Sequence, residues 1–258
     1  RDIGLPAFSS SAGAKAEYPL QSRDADRFEF SMRESGLRPA LRLLGVQQRF
    51  RSHYDETSVD SMFVRGRFVS QRTSVARDRI TTWSRSIQPS VRWGAVRMFG
   101  EWRRENTSGP RATNTVVTSA AGLVTSDTNQ DSESVPPARR EAWAGGAFAS
   151  ATWAKFRLET SARYDWLRSR ADSTAYSFTP VLDVTDRRTS GEVGVSRPIG
   201  SWTPYARLST GFRAPNLEER YFNSSVHGGM RVFGNPELRA ENSATTELGL
   251  RANDALFG

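Results

Sequence analysis

The chain has 258 residues, a formal net charge of +8, no cysteine and a mean hydropathy of −0.58. That length is ample for one domain with a sizeable core, and the absent cysteine excludes disulfides, thiol nucleophiles and cysteine-held zinc. The longest charge-free stretch, 112–126, is rich in Thr, Ser and Asn and shorter than the roughly 20 apolar residues of a membrane-spanning helix, so helical spans are excluded.

Taken in chain order, the strongest signal is alternation with a period of two, the mark of strands whose successive side chains point to opposite faces. Near the start, Phe28, Phe30 and Met32 alternate with Arg27, Glu29, Ser31 and Arg33. Between Ser61 and Glu105 the pattern blurs, as at Met62-Phe63-Val64; Gly36 and Arg77-Asp78 read as short connections, and His53 reads as a structural residue in a short periplasmic turn. From Arg92 onward the expected elements are strand 92–105, connection 106–141, strand 142–152, connection 153–155, strand 156–167, connection 168–187, strand 188–196, connection 197–202, strand 203–212, connection 213–243 and strand 244–251. The clearest strand puts Phe156, Leu158, Thr160, Ala162, Tyr164 and Trp166 on one face and Arg157, Glu159, Ser161, Arg163 and Asp165 on the other.

The connections run long, short, long, short, long, and the long ones are rich in Ser, Thr, Asn, Asp, Gly and Pro. A soluble sandwich has no reason to gather its long loops at one end, whereas an outer-membrane barrel has short periplasmic turns and long external loops. In lipid every backbone polar group must be paired, so spanning strands exist only in closed barrels. The expected fold is therefore all-β: an antiparallel transmembrane β-barrel of the outer-membrane type, here an open portion of a larger barrel. Trp143, Tyr164, Trp166 and Trp202 stand near strand ends, where aromatic girdles form. Arginine supplies all but Lys15 and Lys155 of the 36 basic residues, is dispersed along the chain and is often next to Asp or Glu, a pattern suited to an ionic lumen rather than to nucleic acid.

Enzyme motifs are missing: there is no Gly-x-Ser-x-Gly, His-Glu-x-x-His or Gly-Lys-Ser/Thr element. Asp127, Asn129 and Asp131 are spaced as in a calcium loop, but the glycine and distal glutamate are not there, so 127–141 reads as a solvated external loop.

Three elements carry a resemblance. Phe212-Arg213-Ala214-Pro215 ends one strand; Asn235-Pro236-Glu237-Leu238 with Glu241 follows a loop; Glu247-Leu248-Gly249 lies in the next strand. With Arg163-Tyr164-Asp165 upstream, these resemble the paired signature of TonB-dependent outer-membrane receptors. The chemistry agrees: Pro215 cannot donate to a ladder and marks an exit from the sheet, Pro236 favours a turn, and Arg213 can pair with Glu219 or Glu241 at the barrel mouth. The motif residues Phe212, Arg213, Ala214, Pro215, Asn235, Pro236, Leu238, Glu241, Glu247 and Gly249 are expected to pin loop geometry.

The resemblance implies active uptake of a scarce nutrient, of the iron–siderophore, haem or cobalamin type, with energy from the TonB complex acting on a plug domain. No plug sequence, TonB-contact segment or terminal aromatic strand is recognised, so residues 1–258 are expected to be part of one barrel domain. A passive porin is the alternative, followed by a soluble basic β-rich binding protein. Cargo-binding candidates are His227, Tyr221 and Arg231. In haem receptors of this family a loop histidine between the two motifs ligates haem iron, so His227 would hold metal only if the cargo is haem. No resident cofactor is expected; the expected partners are outer-membrane lipid, TonB and a small metal chelate, and the expected location is the cell outer membrane.

Overall fold

The computed structural model describes residues 2–4, 11–172, 183–226 and 230–252. Its elements, in chain order, are β1 (Asp2–Gly4), β2 (Ser11–Met32), β3 (Ala40–Val64), β4 (Arg67–Trp93), β5 (Val96–Ser119), β6 (Val124–Trp153), β7 (Phe156–Ala171), β8 (Asp183–Ser196), β9 (Trp202–Arg213), α1 (Leu217–Tyr221), β10 (Asn223–Val226), β11 (Met230–Phe233) and β12 (Glu241–Ala252). One 10-stranded antiparallel sheet runs in the order β1 to β9 and then β12, while β10 and β11 form a separate small hairpin. Each strand pairs with the next in sequence, the arrangement of a barrel wall, and the sheet is open at β1 and β12.

The ladder register sorts side chains onto two faces. Met32, Leu41, Val91, Met98, Ala147, Ala162, Gly191, Thr210 and Ala244 are successive cross-strand partners from β2 to β12. Nearer the other strand ends the same face carries Leu158, Val195, Ala206 and Leu248. This apolar face is bare: Leu248 is 77% exposed and Leu208 54% exposed. In a soluble sandwich a second layer would cover these side chains; here the chemistry that fits is lipid.

On β7 the apolar run extends from Phe156 to Trp166. At about 3.3 Å per residue that is roughly 33 Å along the strand, or about 25 Å of height at a tilt near 40°, the apolar band of an outer-membrane barrel. Trp102, Trp143 and Trp166 are cross-strand neighbours at one rim of the band, and the rings of Trp102 and Trp143 are 6.3 Å apart. Trp153, Phe156 and Trp202 mark the opposite rim on the same face. Trp143, Tyr164, Trp166 and Trp202 thus stand where the girdle reading put them.

The strands are much longer than expected. Residues 106–141 are not a loop: β5 continues to Ser119, the chain turns over 120–123, and β6 begins at Val124. Twenty-two ladder pairs join these strands, including Asn114 with Asn129 and Thr115 with Thr128. Over 112–133 no residue is buried on either face, so alternation disappears while the ladder continues through polar and β-branched residues. The expected strand 92–105 is likewise corrected, because β4 runs through Trp93 and turns at Gly94-Ala95, where Gly94 takes φ 55°. Arg77-Asp78 lies within β4 and His53 within β3, opposite Arg79, so neither is in a connection. The β3–β4 turn is instead Arg65-Gly66.

The connections at one end are 33–39, 94–95, 154–155 and 197–201; at the other they are 65–66, 120–123, 172–182 and 214–240. The second end carries the long strand extensions and the longest connection, and is the external end. At the first end Ala154 and Lys155 both take positive φ (48° and 70°), the two-residue turn whose twist matches its flanking strands.

Candidate functional site

After β9 the chain leaves the sheet at the external end, and residues 214–222 and 234–240 lie over the face opposite the lipid face. Asn216, in extended conformation, caps α1: its side chain accepts from the Glu219 N–H (2.6 Å), and the Glu219 carboxylate accepts from the Asn216 N–H (2.7 Å). The two bonds satisfy donors that a helix start leaves orphaned. They also turn Leu217, Arg220 and Tyr221 toward the wall, where all three are buried. Leu217 and Tyr221 pack with Ala138 of β6 and Ala171 of β7 in a small apolar cluster.

Ionic contacts fix the segment at three points. Arg213 donates to both oxygens of Glu219 (2.9 and 3.0 Å) and to both oxygens of Glu241 (2.8 and 3.2 Å). Arg140 of β6, itself buried, donates to the Pro215 carbonyl and to Ser169 Oγ (3.2 Å). Arg220, wholly buried, donates to Asp186 of β8 at 2.7 Å and to the Pro236 carbonyl at 3.4 Å.

The second motif hangs from the helix. The N–H groups of Gly234 and Asn235 donate to the Phe222 and Glu219 carbonyls (2.6 and 2.9 Å). The Asn235 side chain accepts from the Glu237 N–H (2.9 Å), and the Leu238 N–H closes a turn on the Asn235 carbonyl (3.1 Å). Gly234 is required by proximity, since a Cβ there would lie 2.5 Å from the Arg220 carbonyl carbon.

Below the segment the same face is ionic. Arg163 bridges Asp165 (2.7 Å) and Glu101 (2.9 Å), and Arg207 pairs with Glu192 (3.4 Å). The Tyr205 hydroxyl donates to Glu247 (2.6 Å), and its ring lies over Gly249, where a Cβ would collide with it. On this face Arg103 and Arg188 of the wall, and Arg220 of α1, each keep a buried guanidinium Nε without a hydrogen-bond partner. A wall with one oily face and one ion-paired face, the latter overlain by a segment held at both motifs, fits the outside and inside of a membrane barrel.

Residues 6–258 match the family described as TonB dependent receptor-like, beta-barrel. The chain belongs to this receptor family. It is accordingly an outer-membrane protein, from a family of transporters rather than enzymes. The iron-regulated outer membrane virulence protein of Vibrio cholerae is 46% identical over 50 residues, which are 19% of this chain and 8% of that protein. Among solved structures, the copper transporter OprC is similar over 96% of this chain and 44% of its own, at 12% identity and TM-score 0.50. The Serratia marcescens hemophore receptor HasR, solved with its hemophore HasA and heme, is similar over 92% of this chain and 46% of its own, at 12% identity and TM-score 0.45. The chain thus spans less than half the length of these receptors.

Within this receptor wall the motif residues fall into place unevenly. Arg213, Pro215, Asn235, Pro236 and Glu241 join the latch just described, with Ala214 beside them in the chain. Leu238 closes the turn and Phe212 lies on the lipid face, opposite Asn242. Tyr221, a cargo candidate, is wholly buried in the apolar cluster, a place that fits a structural role. The Arg231 backbone lies in β11 opposite Ser225, and His227 lies outside the described residues. Arg140, Asp186, Arg220, Gly234 and Tyr205 escaped the sequence reading. Tyr205 had a usable signal, since it faces the Glu-x-Gly motif at strand spacing; the others had none short of the fold.

Proposed function

We propose that the chain is part of the barrel wall of an active transporter that takes up an anionic metal chelate, of the iron–siderophore or haem type, with energy supplied through TonB to a plug in the lumen. The observation that carries the reading is on the lumenal face, where Arg103, Arg188 and Arg220 each keep a buried Nε without a hydrogen-bond partner. Guanidinium forks suit carboxylate- and catecholate-bearing chelates. The names of similar proteins agree with metal cargo: an iron-regulated outer membrane protein, a copper transporter and a hemophore receptor. In this reading the connection between β9 and β12 meets the cargo, His227 and Arg231 are its candidate contacts, and the buried Tyr221 holds α1 to the wall. If the cargo is haem, imidazole of His227 is the iron ligand.

The test is uptake by cells making the full-length receptor. Labelled ferric chelates and haem are expected to enter only with TonB present and the inner membrane energised. Equal entry without TonB would make the protein a passive pore. For haem itself, equal Soret shifts and affinities in the full-length receptor and its His227→Ala variant would end the ligand assignment.

A further inference from the structure

The sheet is not paired equally along its length. β6 has β7 as its neighbour only from Ala138 onward, with Ala171 opposite Ala138. Toward the external tip, among the described residues, β6 pairs with β5 alone, and its other edge is a row of backbone N–H and C=O groups with no strand beside it. Over 126–133 the ladder to β5 is unbroken, from Ser126 opposite Val117 to Glu133 opposite Pro110. That is about 26 Å of regular edge, at about 3.3 Å per residue. Residues 121–131 are all exposed, so the edge stands in water on both faces beyond the external rim.

Sheets blunt such edges with proline, bulges or charge, because a bare ladder recruits another strand. Pro136, Pro137 and two register shifts around Gly109 guard the base of this one. Over 126–133 there is neither proline nor shift, and only charge is left. The constant register puts Asp127, Asn129, Asp131 and Glu133 on one face and Ser126, Thr128, Gln130 and Ser132 on the other. Arg111 of the neighbouring strand lies on the Ser132 face, where it pairs with Asp78 (2.9 Å) and Glu56 (3.8 Å). Asp127 has only the Asn114 amide (2.9 Å), and neither it nor Asp131 makes an ion pair among the described residues. At the tip the edge ends on exposed Leu123 and Val124.

Charge selects the occupant. A second copy of the chain would set one acidic row against another, and like charges facing across a ladder repel. An extended segment with Arg or Lys at alternate positions would complete the backbone ladder and place cations opposite Asp127 and Asp131 on one face, a favourable cross-strand pairing. We infer that the 124–133 edge of β6 is a docking site for an extended basic segment of another protein, added to the sheet as a further strand. Backbone bonds supply the attachment, and the alternating carboxylates fix its register. The inference rests on strand pairing alone, and stands whatever the cargo is and whether or not TonB drives its entry.

The experiment uses the full-length receptor in nanodiscs of zwitterionic lipid, with a fluorescent peptide of about ten residues, alternating arginine and threonine, as the probe. Anisotropy reads binding, and hydrogen exchange reads the edge. The peptide is expected to bind and to slow amide exchange within 124–133. Two further peptides carry N-methyl groups on the arginine amides or on the threonine amides. Their charge is the same, but only one set of methyls blocks the backbone bonds to β6, so one peptide is expected to bind about tenfold more weakly than the other. Asp127→Asn with Asp131→Asn is expected to weaken the parent peptide about fivefold. Glu159→Gln, at the opposite end of the wall, is expected to change nothing. Equal binding of the two methylated peptides would overturn the inference, because charge alone would then hold them. So would unchanged exchange in 124–133 at saturating peptide, or a double variant that exchanges like the parent when unliganded and binds the peptide as tightly. Exchange there that slows with receptor concentration in the absence of peptide would give the edge to a second copy and overturn it too.

Discussion

Arg213 and Glu241 face each other across the β9–β12 ladder, at the points where the chain leaves the sheet and returns to it. The guanidinium that holds Glu241 also holds Glu219 in α1, so one side chain closes the base of a 27-residue connection and fixes its first helix. Exposed pairs add little to global stability because water screens them. Arg213→Ala is therefore expected to leave barrel unfolding unchanged and to speed amide exchange within 214–240, by less than an order of magnitude. Arg213→Lys is expected to restore little, since an ammonium cannot serve two carboxylates with paired bonds. Hydrogen exchange read by mass spectrometry checks both.

Gly234→Ala is expected to be the most disruptive small change in the segment. The added methyl would meet the backbone of Arg220 and Tyr221, not a side chain that can swing away. Overpacking of this kind costs roughly 1–3 kcal/mol, felt as release of the second motif from α1. Limited proteolysis should cut the variant between α1 and β12 at protease levels that leave the parent intact.

Tyr205 and Gly249 form a pair in which the aromatic ring fills the space a side chain would need. Gly249→Ala is expected to push the ring out, break the hydroxyl bond to Glu247 and lower the unfolding temperature. Tyr205→Ala combined with Gly249→Ala is expected to unfold at a higher temperature than Gly249→Ala alone, because the clash is gone. Additive losses in the double-mutant cycle would show that the two do not interact.

What the sequence disclosed follows the membrane. Along Phe156–Trp166 one face meets lipid and the other an ionic lumen, so each residue type declares its face. Along 112–133 no residue is buried on either face; Asn114 and Thr115 then look like loop residues although each has a ladder partner. The two family motifs were legible as turns and exits. Their anchors were not, because Arg140 is 75 positions from Pro215 and Asp186 is 34 from Arg220. Nothing local marks a residue whose partner is fixed by strand register.

Acid is expected to loosen the segment. The Asn216 N–H, and after it the Arg213 guanidinium, hold the Glu219 carboxyl below the ordinary glutamate range. The folded pKa is thus lower than the unfolded one, near 4.3. The stabilisation is complete above that unfolded value and disappears as pH falls through the folded one. Amide exchange in 214–240, corrected for its intrinsic pH dependence, should rise below about pH 4. Glu219→Gln should flatten that rise; a parent profile that stays flat to pH 2 would remove Glu219 from the account.

Arg220 and Asp186 carry the largest expected penalty. Arg220 is wholly buried and Asp186 nearly so, and they meet at 2.7 Å. Removing one member of a buried pair strands the other charge in a poorly hydrated site, at a cost of about 3–5 kcal/mol. Arg220→Met leaves Asp186 without its cation and also frees the Pro236 carbonyl, so it should detach the segment from β8 and lower receptor yield. Asp186→Leu should do similar damage by stranding the guanidinium. The double variant Arg220→Met/Asp186→Leu replaces both charges with apolar volume, and it is expected to recover much of the stability while leaving the segment less well specified. Denaturant midpoints of the full-length receptor in detergent, with exchange rates in 214–240 measured beside them, separate these outcomes. If the double variant is as unstable as the sum of the singles, the pair is not what ties α1 to the wall, and Arg213, Arg140 and the Leu217–Tyr221 cluster must hold it.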